Sequence, residues 1–423
     1  MINIIKNFDD LATTNLRKNA LTIALSAYKA IDTREVIKKN LKIENNILSV
    51  GNKSFILKDY ERLFVLGFGK VSCKAVQTIE DILEGHITGG VVIDKNVGVC
   101  KVVKVYQGTH PKPNVKNVEF SEQITSIAKD AGERDLVIVV VSGGGSSLLC
   151  WPLSECDQGN SLYNKFLNSG GSIDELNTVR KHLSLVKGGG LAKILYPANV
   201  ISLVFSDVPG NVFEDVASGP TYFDNSTVED AKNILNKYNI MDTFTLNETP
   251  KERMYFEKIY NFPIVSNLDA LKAMSKCAKD LGYEPKLAPD NIYSDTEHAL
   301  SMMQSLSGKK VAVIGGGELS VKVKEGGKGI GGRNEFAGAV AIEKINEGEL
   351  FMSFASDGID NLSEAGGVLI DDQVKTIIKE KNINVESYKK NNDEDSMFKL
   401  IGNQIITGPT SSNVSDLFIL IKD

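Results

Sequence analysis

Two apolar runs in this chain break off abruptly into glycine. Residues 136–141, Leu-Val-Ile-Val-Val-Val, lead into Ser142-Gly-Gly-Gly-Ser-Ser147. Residues 311–314 lead into Gly315-Gly-Gly-Glu318, and Gly329-Ile-Gly-Gly-Arg-Asn334 follows shortly after. Glycine has no Cβ, so its backbone N–H can come close to a ligand. Several such N–H groups at the end of a strand, where a helix opens, form an anion site. Two of these in one chain predict a cleft between two α/β domains that holds a phosphorylated ligand.

The remaining pattern agrees with that architecture. Residues 10–39 carry helical spacing. After them strands and helices alternate. A strand at 62–66 ends in Gly67-Phe-Gly-Lys70 and precedes a helix near 71–84. Short β-branched strands follow at 90–93 and 102–106, a helix at 118–131, a helix at 175–182 and an apolar strand at 200–205. Such alternation predicts a mostly parallel sheet with helices on both faces. At 423 residues the chain exceeds one ordinary domain. The polar, weakly periodic stretch 242–262 is the expected boundary. Beyond it come strands at 264–266, 311–314, 319–323, 350–355 and 418–421, with helices at 268–281, near 294–307 and near 334–347.

Composition excludes several classes of function. The net charge is −6 and the pI about 5.5, against the basic face that nucleic-acid binding requires. No apolar run approaches the ~18 residues of a membrane span. Cys73, Cys100, Cys150, Cys156 and Cys277 make no CxxC pair, so they predict reduced thiols rather than a metal site. Asp9 and Asp10 interrupt any signal-peptide core. The expectation is a cytoplasmic protein with a small-molecule substrate, no nucleic acid and no membrane; a homo-oligomer is left open.

Candidate chemistry gathers at strand ends. Gly67-Phe-Gly-Lys-Val-Ser72 is neither a Walker A loop nor a GxGxxG fingerprint, but Lys70 at a helix start suits a phosphate. The triglycine residues Ser142, Gly143, Gly144, Gly145 and Ser146 suit one too. A serine nucleophile is disfavoured because G-x-S-x-G is absent and only His86, His110, His182 and His298 could serve as its base. In Asn177-Thr-Val-Arg-Lys-His-Leu-Ser-Leu-Val-Lys187, helical spacing would put Arg180, Ser184 and Lys187 on one face, either a solvated face or part of a site. Gly219 lies in Ser218-Gly-Pro-Thr221, which Thr407-Gly-Pro-Thr410 echoes. Asp207 and Asp357 each follow a strand, where each could bind Mg²⁺ or cap a turn. Arg333 stands at a helix start and favours an anion. His110-Pro-Lys-Pro113 is a stiff loop that could line the cleft.

GFGK, HPKP, VSGGGSSLL, NTVRKHLSLVKGG, SDVPGN, SGPT, GGRNEF, SDGID and TGPTSSNVSDL occur in this order over about residues 60–420. The set resembles the class II glycerate 2-kinase family, whose C-terminal part is called the MOFRL domain. The resemblance implies an N-terminal Rossmann-like parallel-sheet domain over 1–245 and a C-terminal MOFRL α/β domain over 262–423, with the first helix free to pack on the latter. It implies ATP- and Mg²⁺-dependent phosphorylation of D-glycerate at its 2-hydroxyl. Lys70, Arg333 and Asp357 would be catalytic. Ser142–Ser146, Lys187 and Gly219 would contact the nucleotide, and Asp207 and Asp357 the metal. The chain departs from the family in Asp357-Gly-Ile-Asp-Asn-Leu362, Gly317-Glu-Leu-Ser320 and Asn334-Glu-Phe336. Those changes bear on the exact acceptor more than on the reaction. The rival readings are a kinase of another small sugar acid, an NAD(P)H-dependent hydroxypyruvate reductase and a non-catalytic sugar-phosphate sensor.

Overall fold

The computed structural model describes residues 4–167, 169–206, 212–240, 244–289, 295–319, 321 and 329–423. The chain divides into two compact units, Thr33–Val265 and a discontinuous one made of Met1–Asp32 with Ser266–Asp423.

In the first unit the described strands stand in the order Lys104–Gln107, Gly89–Asp94, Arg62–Phe68, Asp135–Ser142, Asn199–Phe205, Ile259–Val265. Every neighbouring pair is parallel. Numbered along the chain, the order is 3-2-1-4-5-6, that of a doubly wound sheet. All eight residues of Asp135–Ser142 are buried, which explains why this strand reads as a continuous apolar run rather than an alternating one. Val137, Val139 and Val141 pack with Phe64, Leu66 and Phe68 against Ile124, Ala128, Leu191 and Leu195 on one face. Helix Ser72–Ile82 lies against the sheet with Val76 and Ile79 fully buried. A fully buried side chain of this size contributes about 1.5–3 kcal/mol. Three short antiparallel strands, Leu41–Glu44, Ile47–Val50 and Lys53–Ile56, precede the large sheet.

The strand expected at 264–266 is longer and pairs elsewhere. Ile259–Val265 hydrogen-bonds to Asn199–Phe205 as the last strand of the parallel sheet, so residues 244–262 run with this unit. Helix Ile173–Leu183 carries a capping box at Ser172 and Glu175 and stops at Leu183. Ser184 turns to accept hydrogen bonds from Val186 and Lys187 N–H. The helical face expected to run from Arg180 to Lys187 is therefore not formed.

The second unit has a mixed sheet in the order Glu284–Leu287, Val311–Gly317, Asp416–Lys422, Glu349–Ala355, Gly367–Ile370, Gln404–Ile405. Only the first pair is parallel. The C-terminal strand lies in the middle, its register setting Gly317 and Ala355 on either side of Asp416. Helix Arg333–Lys344 covers one face with Ala337, Val340 and Ala341. Helix Asn15–Ala30 is also part of this unit: the Tyr28 ring lies tilted at 50° with its centre 5.4 Å from that of Phe354, and Arg17 forms a buried two-pronged pair with Asp371, both contacts 2.7 Å. The strand expected at 319–323 falls largely outside the described residues.

Candidate active site

The strand order 3-2-1-4-5-6 reverses between Arg62–Phe68 and Asp135–Ser142, and open α/β sheets bind ligands beyond the carboxyl ends of strands at such a point. Both glycine loops of this unit lie there. They touch directly: Lys70 N–H donates to the Gly143 carbonyl at 2.9 Å, and the Ser142 and Ser72 hydroxyls are 3.2 Å apart. At Gly69 φ is +121°, and a Cβ there would lie 2.1 Å from the Ser142 hydroxyl oxygen. Only glycine lets the loops approach this closely.

The two loops differ in what they leave open. Lys70 stands two residues before helix Ser72–Ile82 rather than in its first turn. The amides around it are already answered: Val71 N–H by Ser142 Oγ at 3.4 Å, Ser72 N–H by the Gly69 carbonyl and Cys73 N–H by Asp94 at 2.9 Å. Burial pushes the Asp94 carboxyl up to about 6, against the pull of the Asn96, Cys73 and Lys95 amides and of Lys70. This loop can therefore meet an anion through the Lys70 side chain and not through its backbone. The triglycine loop is the reverse. Gly144 has φ +78° and starts the short turn Gly145–Leu148. Among the described residues no oxygen accepts from the N–H groups of Gly144, Gly145 or Ser146.

The surroundings hold that loop in place. Ala217, Ser218 and Gly219 have φ of +54°, +60° and +63° in succession, a left-handed run that costs about 1–2 kcal/mol for each non-glycine residue. The strain sets the buried Ser218 hydroxyl 3.0 Å from that of Ser146. Gly219 accepts from Gly189 N–H at 2.8 Å. Lys187 is buried; its ammonium donates to the Leu149 carbonyl at 2.8 Å and pairs with Glu155, behind the loop.

His110 rests on Gly144: a Cβ there would lie 3.0 Å from the imidazole and 3.2 Å from Lys70 Cγ. Burial, then the positive charges of Lys70, Lys95 and Arg180, push His110 from 6.5 down to about 4. Between these values the unfolded chain binds a proton that the folded one refuses. The contribution is thus whole above about pH 6.5 and is lost as the pH falls towards 4. Urea midpoints at pH 7.5 and 4.5 should show the wild type losing roughly 2–3 kcal/mol more stability than His110→Gln across this window. Equal losses in both proteins would disprove the assignment.

In the other unit, Arg333 opens helix Arg333–Lys344, its side chain 41% exposed. Its Nε donates to Asp416 at 3.0 Å and its Nη1 pairs with Glu318. Burial pushes the Asp416 carboxyl up to about 7 despite Arg333. Asp360 caps the same helix, accepting from Asn334 and Glu335 N–H at 3.2 and 2.8 Å. Asp357 follows strand Glu349–Ala355, half-buried, its carboxylate accepting from Ile359 N–H at 3.3 Å. Its loop meets the Thr407–Thr410 echo: Thr410 N–H donates to the Asp357 carbonyl at 3.0 Å. The register thus gathers Arg333, Asp357, Glu318 and Asp416 at one end of the mixed sheet. Asp207 lies outside the described residues.

Sequence reading overlooked Asp94, Asp416 and Glu318. Asp94 ends strand Gly89–Asp94, and the strand-end logic applied to Asp207 would have found it. Among the described residues no three His, Cys, Asp or Glu side chains converge as metal ligands. Magnesium in kinase sites needs only one or two carboxylates beside phosphate oxygens. Asp357 therefore fits a metal that arrives with a nucleotide, and the described residues offer no dedicated cage.

Family models match both units: a domain of unknown function, DUF4147, over residues 19–248, and the MOFRL family over residues 311–416. The glycerate 2-kinase of Pyrococcus horikoshii is 32% identical, the alignment covering 96% of this chain and 97% of the relative. A putative hydroxypyruvate reductase of Agrobacterium vitis is 32% identical over 84% of this chain and 98% of its own. The crystal structure of a glycerate kinase from Thermotoga maritima superposes with a TM-score of 0.81 at 31% identity, covering 96% of this chain and 99% of that one. Matched along nearly its whole length in sequence and in fold, the chain belongs to the MOFRL-containing glycerate kinase family.

Proposed function

We propose that this protein is an ATP-dependent glycerate 2-kinase, converting D-glycerate to 2-phosphoglycerate and ADP. The observation that carries the reading is the set of unanswered N–H groups at Gly144, Gly145 and Ser146, placed at the switch point of a doubly wound sheet with Lys70 beside them. Phosphoryl transfer asks a protein for positioning and charge stabilisation more than for covalent chemistry. The triglycine amides hold phosphate oxygens, with Ser218 and Gly219 bracing the loop. Lys187 fixes the loop from behind through the Leu149 carbonyl. The Lys70 ammonium and the Arg333 guanidinium offset charge on the phosphoryl group in transfer. Asp357 takes the proton of the acceptor's 2-hydroxyl as its oxygen bonds to the γ-phosphorus and the bond to ADP breaks. Asp357 and Asp207 are the carboxylates that would hold Mg²⁺, and the ion when bound would supply charge neutralisation to the ATP phosphates.

A nicotinamide reductase would need a third glycine where Ser72 stands in Gly67-Phe-Gly-Lys-Val-Ser72. Regiochemistry tests the kinase reading. With ATP, D-glycerate and enolase but no mutase, phosphoenolpyruvate should accumulate, and NADH with hydroxypyruvate should stay unconsumed. A requirement for mutase would make the product the 3-phosphate and refute the assignment.

A further inference from the structure

Arg180 occupies the last turn of helix Ile173–Leu183, and among the described residues its guanidinium has no hydrogen bond and no ion pair. The cations around it are matched. Lys181 pairs with Asp224 and Asp215, and Lys187 with Glu155. Arg180 is half-buried, and burial lowers its pKa. It lies 5.4 Å from the centre of the Tyr163 ring, with Lys112 5.9 Å from the same ring. Ring contact of this kind is worth about 0.5–2 kcal/mol and uses none of the five guanidinium N–H donors. Leaving those donors unanswered in a partly desolvated place is costly.

Arg180 lines a pocket with Lys112, Asn160, Tyr163, Ser146 and Ser147, and the one carboxylate in that lining, Glu155, is already paired with Lys187. It adjoins the triglycine loop through Ser146. Two cations already occupy the neighbourhood of the Tyr163 ring, so the lining has no free aromatic face for a purine. Apart from the Glu155–Lys187 pair, it presents a planar cationic fork, the Asn160 amide, hydroxyls and the Lys112 ammonium, which spends one of its three donors on Asn164. A planar fork matches a carboxylate in two-pronged fashion. We infer that Arg180, supported by Lys112, receives the carboxylate of the hydroxy-acid acceptor and so turns the hydroxyl end towards the phosphate loop. This inference rests on the kinase reading for the identity of the acceptor.

The test is calorimetry with D-glycerate, with glycerol and with a non-hydrolysable ATP analogue, on the wild type, Arg180→Gln and Arg180→Lys, followed by steady-state kinetics. Losing charged hydrogen bonds of this type weakens binding about 10–150-fold. Arg180→Gln should lose that much affinity for D-glycerate and raise its KM by a similar factor. Nucleotide affinity should stay within about twofold, and Arg180→Lys should recover part of the loss. Glycerol, lacking the carboxylate, should bind weakly to all three proteins. If nucleotide affinity falls instead, the pocket takes a phosphate and the inference fails. If a folded Arg180→Gln binds both ligands normally, Arg180 only packs on Tyr163 and the inference also fails. Should circular dichroism show Arg180→Gln unfolded, Arg180→Lys decides by the same criteria. A wild type that binds D-glycerate through Arg180 without phosphorylating it would overturn the kinase reading and leave the subsite standing. A wild type that does not bind D-glycerate at all, with or without nucleotide, would overturn the subsite.

Discussion

Replacing Lys70 with alanine should lower kcat by about 10²–10³-fold. The estimate follows from the ~2.7–4 kcal/mol that one preorganised donor contributes to a transition state. The backbone around Lys70 already has its hydrogen bonds, with Gly143, Ser142 and Asp94 as acceptors, and its side chain is only half-buried. The fold should therefore survive, and the melting temperature should change little. Because the neighbouring amides are occupied within the protein, nothing else in that loop can take over the anion. A variant with near wild-type kcat would show the turn to be purely structural. The same substitution removes one of the charges that depress His110, so its pKa should rise above about 4 in an NMR titration.

Excess chelator should bring turnover to background, and added Mg²⁺ should restore it. The described residues provide no cluster of ligands that could retain a metal against a chelator. The requirement is thus expected to track the free Mg²⁺ that converts ATP into its magnesium complex. Asp357→Asn should reduce kcat by at least about 10²-fold if the carboxylate is the proton acceptor, within the 10²–10⁴-fold range of general base catalysis. If Asp357 only holds metal, higher Mg²⁺ should rescue the variant. Full turnover in excess chelator would remove the metal from the mechanism.

The parallel sheet was legible because strands buried on both faces leave long apolar runs, as in residues 136–141. The strand order was not legible, since no local pattern says that Asp135–Ser142 pairs with Arg62–Phe68. That pairing is what brings the triglycine loop to Lys70. Ile259–Val265 was hard to read because its residues are half-exposed at a sheet edge and include Pro263. Arg180 was visible as part of a basic cluster. Its isolation was not, because it depends on Glu155, Asp215 and Asp224 being taken by two other lysines, arriving from distant parts of the chain. The left-handed run at Ala217 and Ser218 had no sequence signature, alanine and serine being unremarkable in any loop.

Helix Asn15–Ala30 is made early and must wait for its partners. Phe354 and Asp371 leave the ribosome only after all of Thr33–Val265 has been synthesised. At ~5–20 residues per second that delay is roughly 10–50 s. Throughout it Leu21, Ile23, Ala24 and Tyr28, all buried at the end, lack helix Asn267–Asp280 and the strands Glu349–Ala355 and Asp416–Lys422 on which this helix packs. Nascent chains should accordingly be most dependent on holding chaperones before the last strand, Asp416–Lys422, has emerged. A fragment cut to residues 266–423, although it contains the whole MOFRL match, should come out of cells insoluble unless residues 1–32 are supplied with it.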